Sequence, residues 1–377
     1  MAVADPTRSH AAALAGLPGM TPVRLARLLD DVGPVEAWKA LGAGTHRGDP
    51  QRRFMAPACA TAVEEVGEVY SRSGVAILLP GTSGYPSVLE RDPGAPAVLF
   101  ASGDPSAVEG RPRVAIVGTR TPTHYGLQVA SEMAADLAAA GVVVVSGLAL
   151  GIDGAAHAGV LRRAGGSAAP PVAVAGTGLD LPYPPQNRGL WAEVACRGVV
   201  LSESPLGTPP LPRVFPARNR IIAGLSDVVV VVESQRRGGC LYTAEAAARR
   251  SIPVCAVPGS VRSRASDGAN GLLVDGCTPV RDATDVLVAV ALARAGGGEP
   301  FNPTVDVPMS RRAGVERPER ALSMIHRAVL GAIDDTPTAF ETVLIRADLP
   351  IASAAQACDE LVELGLLRAG AGWWSKA

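Results

Sequence analysis

The stretch "VAIVGTRTPTHYG", residues 114–126, decides the fold. It opens as a short apolar run, breaks at Gly118, and passes through Thr and Arg into helix-forming sequence from about Tyr125. A run that is apolar at every position must be covered on both faces, which is the situation of a parallel strand between layers of helices. The pattern recurs in "VVVVSG" (142–147), "VAVAG" (172–176), "VVLSE" (199–203) and "DVVVVVE" (227–233), and a sixth run, "PVCAVPG", spans 253–259. Helix-like segments separate most of these runs, and "GVAILLP" and "AVLFASG" precede them as short strands from about residue 74. Alternation of this kind predicts an α/β fold, a Rossmann-like, doubly wound and mostly parallel sheet over residues 73–295.

The flanks read differently. Residues 1–72 are helical in pattern, and "LAGLPGMTPVRLARLLDDVGPVEAWKAL" sets apolar residues at helical spacing around a Leu-Pro-Gly-Met turn. Two readings stand side by side here. One is a helix-hairpin-helix domain whose glycine turn offers N–H groups to a phosphate; the other is a plain helical packing module. Residues 296–318 are rich in Gly, Pro and charge and read as a linker. Residues 319–377 contain three helical segments and a short hairpin, a winged-helix-like arrangement.

Composition limits the chemistry. The 377 residues are 47% hydrophobic and 19% charged, enough apolar content to bury sizeable cores. Formal net charge is -1, so a nucleic-acid footprint must be local. Among 35 basic residues only Lys39 and Lys376 are lysines, and neither is placed for a Walker A loop or a Schiff base. The six cysteines form no CxxC pair and stand at no zinc spacing, which points to reduced thiols, no metal and no cofactor. The early acidic residue and the lack of a sustained apolar run argue against a signal peptide and a membrane span. The expected location is the cytoplasm.

In an open α/β sheet, ligands bind beyond the carboxyl ends of the strands. Gly118, Thr119 and Arg120 follow the first core run, where glycine admits close backbone approach, a helix start favours an anion and Arg120 can grip phosphate oxygens. A tight turn with an exposed arginine is the plainer alternative, and the dinucleotide fingerprint GxGxxG is absent. Asp153 and His157, four apart, share a helical face as an acid/base pair or as helix-capping and backbone-bonding residues. "GTGLDLPYP" (176–184) reads as a turn beneath the cleft. In "RRGGCLYTAEAA" (236–247), Gly239 and its neighbour can expose N–H groups, with Thr243 near the next helix start, an anion nest. Glu245 is either a solvated helix residue or, with Asp153 and His157, part of a nucleotide hydrolase acting on a nucleoside monophosphate.

The most unusual stretch is "FPARNRII" (215–222). Between 211 and 264 nine arginines, among them Arg213, Arg218 and Arg220, face three acids, a local excess of +6. Phe215, stiffened by Pro216, stands beside Arg218, Asn219 and Arg220. A ring among arginines suits single-stranded nucleic acid, with the ring under a base and the arginines on the backbone. A core phenylalanine with surface arginines is the alternative. A further division is open within the motif: Asn219 and Arg220 bond neighbouring loops while Phe215 and Arg218 face DNA.

Taken in order, "YPSVLERDPGAPAVLFASG", "VAIVGTRTPTHYG", "SGLALGIDGAAHAGVL", "GTGLDLPYPPQN", "LSESPLGTPPLPRVFPARNRIIAGLSD", "TAEAAARRSIPVCAVPG" and "GANGLLVDG" resemble the DNA-processing protein A (DprA, or Smf) family. The resemblance covers essentially the whole middle domain and, less specifically, implies a sterile-alpha-motif-like helical domain before it and a winged helix after it. It implies a non-enzymatic homodimer that binds single-stranded DNA, protects incoming strands in natural transformation and loads a RecA-type recombinase. It marks Gly118, Thr119, Arg120, Phe215, Arg218, Asn219 and Arg220 as DNA contacts. The chain departs from the family at 238–240, where Gly-Gly-Cys replaces Ser-Gly-Ser, and a cysteine is the poorer hydrogen-bond donor. In the C-terminal unit, the helix "IASAAQACDELVELGLL" carries Asp359, Glu360 and Glu363 and no Lys or Arg. It is expected to be a protein-contact module, with Leu361, Leu364 and Leu366 in its core, since its acids would repel phosphate.

Overall fold

The structure, a computed structural model, describes residues 5–30, 32–163, 168–295, 323–333, 338–363, 366–370 and 373–376. The described residues fall into two compact units, 5–295 and 323–376. The expected linker at 296–318 lies outside the described residues.

The larger unit is built on a nine-stranded sheet. Its strands are β1 (Ala76–Leu78), β2 (Leu99–Gly103), β3 (Arg113–Val117), β4 (Val143–Ser146), β5 (Val172–Ala175), β6 (Val199–Ser202), β7 (Val228–Val231), β8 (Val254–Ala256) and β9 (Thr278–Pro279). Their order across the sheet is β1-β2-β6-β5-β4-β3-β7-β8-β9. From β6 to β9 every pairing is parallel, while β2 runs antiparallel to both β6 and β1. The six apolar runs all become adjacent parallel strands, as a strand buried on both faces requires. From β3 the chain winds outward through β4, β5 and β6, then returns to the other side of β3 with β7. The winding reverses at the β3–β7 boundary, and a crevice opens at the carboxyl ends of those two strands.

Residue alternation splits each strand between two cores. On β5, Val172 and Val174 face one apolar cluster, while Ala173 and Ala175 face the other. The first cluster packs under α9 (Val214–Gly224) and α10 (Leu241–Ala248) through Ile221, Ile222, Ala244 and Ala247. The second is closed by the N-terminal helices α1 (Pro6–Gly16), α2 (Pro22–Leu29), α3 (Pro34–Gly42), α4 (Met55–Ala60) and α5 (Val63–Ser73), which pack Leu14, Leu28, Leu41 and Tyr70 against the sheet. Tyr70 stacks on Phe100 with ring centroids 5.1 Å apart, and its hydroxyl accepts from the Leu206 amide at 3.0 Å. The helical segment therefore shares a core with the sheet. The Leu-Pro-Gly-Met turn separates α1 from α2, whose start is fixed by Thr21 as cap and Pro22 at the first position.

The layers are completed by α6 (His124–Ala139), α7 (Ile152–Arg162), α8 (Arg188–Arg197), α11 (Asp267–Val274) and α12 (Ala283–Ala295). The smaller unit contains α13 (Met324–Ala332), β10 (Thr338–Ala339), α14 (Phe340–Ala347), α15 (Ile351–Glu363), β11 (Leu367–Gly370) and β12 (Trp373–Lys376), with a sheet of order β10-β12-β11. Three helices and a short antiparallel sheet give the winged-helix-like arrangement. Its core holds Val329, Val343, Ala357 and Leu361, with Leu366 packed at the edge; Leu364 lies outside the described residues. Glu360, one of the acids on α15, accepts from Gln356 at 2.8 Å and is 2.7 Å from His326 Nε2.

Candidate nucleic-acid interface

The crevice at the β3–β7 boundary is a cleft of about 590 Å³. Three of the segments that wall it carry residues singled out in the sequence. The loop after β3 supplies Gly118, Thr119 and Arg120. Helix α9 supplies Phe215, Arg218 and Asn219. The corner before α10 supplies Gly239, and the first turn of α10 supplies Thr243. Arg213 and Arg220 lie elsewhere.

The loop after β3 is held from below. Thr119 donates its amide to the Glu233 carbonyl at 2.7 Å, and its own carbonyl accepts from Ile152 at 3.2 Å. A Cβ on Gly118 would stand 2.5 Å from Ile152 Cγ1 and 2.8 Å from the Glu233 carbonyl oxygen, so packing as well as ligand approach demands glycine there. The start of α6 was expected to attract a phosphate, and it already holds an anion. The buried Glu233 carboxylate accepts from the Thr123 amide at 2.8 Å and from its hydroxyl at 2.6 Å, and Thr123 caps α6. Glu233 thereby ties the loop after β3 to the strand-end of β7, and the favourable charge at this helix start is spent inside the fold. Arg120 alone of the three loop residues is exposed.

Arg120 sits over the ring of Phe215, with Cζ 5.2 Å from the ring centroid. Phe215 packs in turn against Tyr183, centroids 5.5 Å apart and planes inclined at 37°. Phe215 is half-buried rather than in the core, and Tyr183 is 37% exposed. The three side chains form a cation–aromatic–aromatic group at the cleft wall, an arrangement able to stack on a base and contact its phosphate. The stretch 176–184 was expected to pass beneath the cleft, yet Tyr183 reaches into it.

Arg218 corrects the sequence reading. Expected to face a phosphate, it is buried, 6% exposed, at the floor of the cleft. Its Nη1 donates to the carbonyls of Gly147, at 2.7 Å, and of Val174. Asp153 of α7 faces it. A Cβ on Gly147 would stand 2.5 Å from both Arg218 Nη2 and Asp153 Oδ2, so the missing side chain makes room for this pair. Burial lowers the Arg218 pKa to about 10, leaving it charged at neutral pH. Burial raises the Asp153 carboxyl above its ordinary range, opposed by Arg218 and by the amides of Ala149 and Gly147. The physical reason for this burial is helical phase. On α9 the exposed positions are Pro216 and Ala217, while Arg218 shares the buried side with Ile221 and Ile222.

The other arginines of the motif are also accounted for. Arg220 is paired with Glu203 at 2.6 Å and donates to the Ala217 carbonyl, and burial raises the Glu203 carboxyl against that pairing. Asn219 donates to the Gly239 carbonyl at 3.2 Å. Within the motif, Asn219 and Arg220 bond neighbouring segments, while of Phe215 and Arg218 only Phe215 reaches the surface. Arg213 is exposed and lines a neighbouring groove between the α1–α2 turn and residues 203–218.

At the Gly-Gly-Cys corner, Cys240 points inward. Its thiol is buried, bonds the Ser234 side chain and is pushed up to about 11, mainly by desolvation, so it remains a neutral thiol. Thr243 is buried beneath the cleft wall, and Gly239 is exposed. Arg237 and Tyr242, not singled out beforehand, also line the cleft.

Of the residues of the hydrolase alternative, Asp153 lines the cleft and His157 and Glu245 do not. His157 is fully buried and neither ring nitrogen makes a well-formed hydrogen bond. Glu245 stands on the exposed side of α10, paired with Arg249 at 2.5 Å. Among the described residues no group of three or more His, Cys, Asp or Glu is placed to hold a metal, and no helix is long and apolar enough to cross a membrane.

Fold and cleft together define a Rossmann-like α/β protein with a cleft at the switch point of a mostly parallel sheet. Residues 76–291, more than half of the chain, match the family described as DNA recombination-mediator protein A. The protein Smf of Synechocystis is 33% identical over 320 residues, covering 80% of this chain and 79% of its own. The X-ray structure of DNA processing protein A from Streptococcus pneumoniae superposes with a TM-score of 0.64 at 31% identity, over 75% of this chain and 97% of that one. That of DNA processing protein A from Helicobacter pylori, described for its single-stranded DNA binding mode, gives 0.50 at 30% identity, over 57% and 95%. The chain belongs to the DNA recombination-mediator protein A (DprA/Smf) family.

Proposed function

We propose that this chain binds single-stranded DNA in the cleft at the β3–β7 boundary and acts as a recombination mediator in natural transformation. The observation that carries the reading is the group Arg120–Phe215–Tyr183, an exposed cation and two aromatic faces on one wall of an otherwise rigid crevice. Family membership supports it, as does the relative from Helicobacter pylori described as binding single strands. Arg120 and Arg237 hold phosphates, Phe215 stacks on a base, and the backbone at Thr119 and Gly239 lies along the strand. Gly118, Arg218, Asn219, Arg220 and Thr243 hold these elements in place, and Arg213 meets the strand outside the cleft.

The wider assignment is a cytoplasmic homodimer, without catalytic activity, that shields an incoming strand and hands it to a RecA-type recombinase. In it, residues 1–72 support the sheet domain of 73–295, and the winged-helix-like residues 319–377, beyond the 296–318 linker, meet protein. The test is anisotropy with single- and double-stranded oligonucleotides of one sequence across a salt series, beside a nucleotide-hydrolysis assay. Preference for the single strand with a steep salt dependence is expected. Equal affinity for both forms, or turnover lost on mutating Glu245, would overturn it.

A further inference from the structure

We infer that Tyr242 is a second base-stacking position, so that the cleft seats two bases of one strand, one at Phe215 and one at Tyr242. The inference rests on the reading of the cleft as a single-strand site.

Tyr242 lies in the first turn of α10 and lines the cleft with 57% of its surface exposed. Of the residues that follow it on the helix, Thr243 and Ala244 are almost fully buried and Ala247 fully. The helix is thus anchored on its inner side and presents a large aromatic ring to the cavity. Aromatic residues make up only 4% of the chain, and Phe215, Tyr183 and Tyr242 line this one crevice. A ring left in water at the mouth of a basic cleft contributes nothing to the core. It suits a ligand with an aromatic face.

The two positions are fixed relative to each other. Phe215 and Asn219 are one helical turn apart on α9. Asn219 Nδ2 donates to the Gly239 carbonyl, and from Gly239 the chain runs through buried Cys240 directly into α10 and Tyr242. Asn219 is therefore a strut between the helix that carries Phe215 and the corner that carries Tyr242. Arg237, exposed on the same corner, supplies a cation to the phosphates of the strand. Because every base has a face to stack, two such rings add affinity and count of bases held without adding sequence preference.

The experiment uses the full chain and two probes of equal length, oligo(dT) and an abasic sugar–phosphate strand. Tyr242→Ala should weaken oligo(dT) binding by at least about fivefold and leave the salt slope and abasic binding unchanged, whereas Tyr242→Phe should stay within about twofold of wild type. Losses should multiply in the Tyr242→Ala, Phe215→Ala double variant. The inference is overturned if Tyr242→Ala binds oligo(dT) like wild type while Phe215→Ala does not. It is equally overturned if Tyr242→Phe loses as much as Tyr242→Ala, or if the loss is the same on the abasic strand. Failure of the single-strand reading itself looks different: wild type would then not prefer oligo(dT) over duplex, whatever residue stands at 242.

Discussion

The guanidinium of Arg120 rests over the ring of Phe215, 5.2 Å from its centroid, although the two residues are almost a hundred positions apart in the chain. One belongs to the turn after β3 and the other to the first turn of α9. Their contact joins the turn after β3 to α9 across the cleft wall and sets a cation beside an aromatic ring.

Substituting these two residues should therefore give different signatures. Arg120→Ala should reduce the log–log salt slope of single-strand binding by about 0.7, the contribution of one phosphate. Phe215→Ala should reduce affinity by roughly 1–3 kcal/mol with little change in slope. Titrations at four or more salt concentrations separate the two.

Arg218→Ala should act on the fold. It leaves Asp153 charged or forced to protonate in a buried site, and leaves the Gly147 and Val174 carbonyls without their donor. Breaking a buried pair by removing one partner costs about 3–5 kcal/mol. Urea denaturation should show that loss, and whatever folded protein remains should keep the wild-type salt slope.

His157 predicts acid sensitivity. Burial holds its pKa down to about 4, with the charge of Arg218 acting in the same direction and the Ser146 backbone in the other. Unfolded, the ring titrates near 6.5, so between pH 6.5 and 4 the unfolded chain binds the extra proton and stability falls as pH falls. The full shift corresponds to about 3 kcal/mol at most. Relative to His157→Leu, the wild-type protein should lose that much stability between pH 7 and pH 4. Parallel stability curves for the two proteins would show that the ring is not buried neutral.

Deleting residues 319–377 should leave single-strand affinity within about threefold, under roughly 0.7 kcal/mol. The helix that would enter a groove presents exposed Asp359 and Gln356 and a Glu360 held by His326. A tenfold loss in a folded truncation would assign DNA contact to this unit.

The sheet was readable because Val228–Val231 and its counterparts are apolar at every position, and few environments accept that pattern. Strand β9 was not, because Thr278 and Pro279 are exposed and too short to leave a period. The cleft was readable as far as strand ends are, which placed Thr119, Arg120 and Gly239. Depth was the hidden variable. Arg218 and Arg220 look alike in "FPARNRII", yet one lies under the floor and the other against Glu203, because the phase of α9 is set by where Ile221 and Ile222 pack. Tyr183 and Tyr242 escaped notice because each is a lone aromatic in its own stretch, and only folding brings them to the cleft that Phe215 lines.

The shared core of the N-terminal helices and the sheet bears on how such a chain can change over evolutionary time. Val98, Phe100, Leu148, Ala173, Ala175 and Val200 form an apolar floor that α1 to α5 roof over together with α7 and α8. The segment is not a detachable module: a lineage that shed it would expose that floor to water and invite aggregation. Its loss would have to be accompanied by repainting the floor with polar residues at alternate strand positions, leaving the valines of the opposite face untouched.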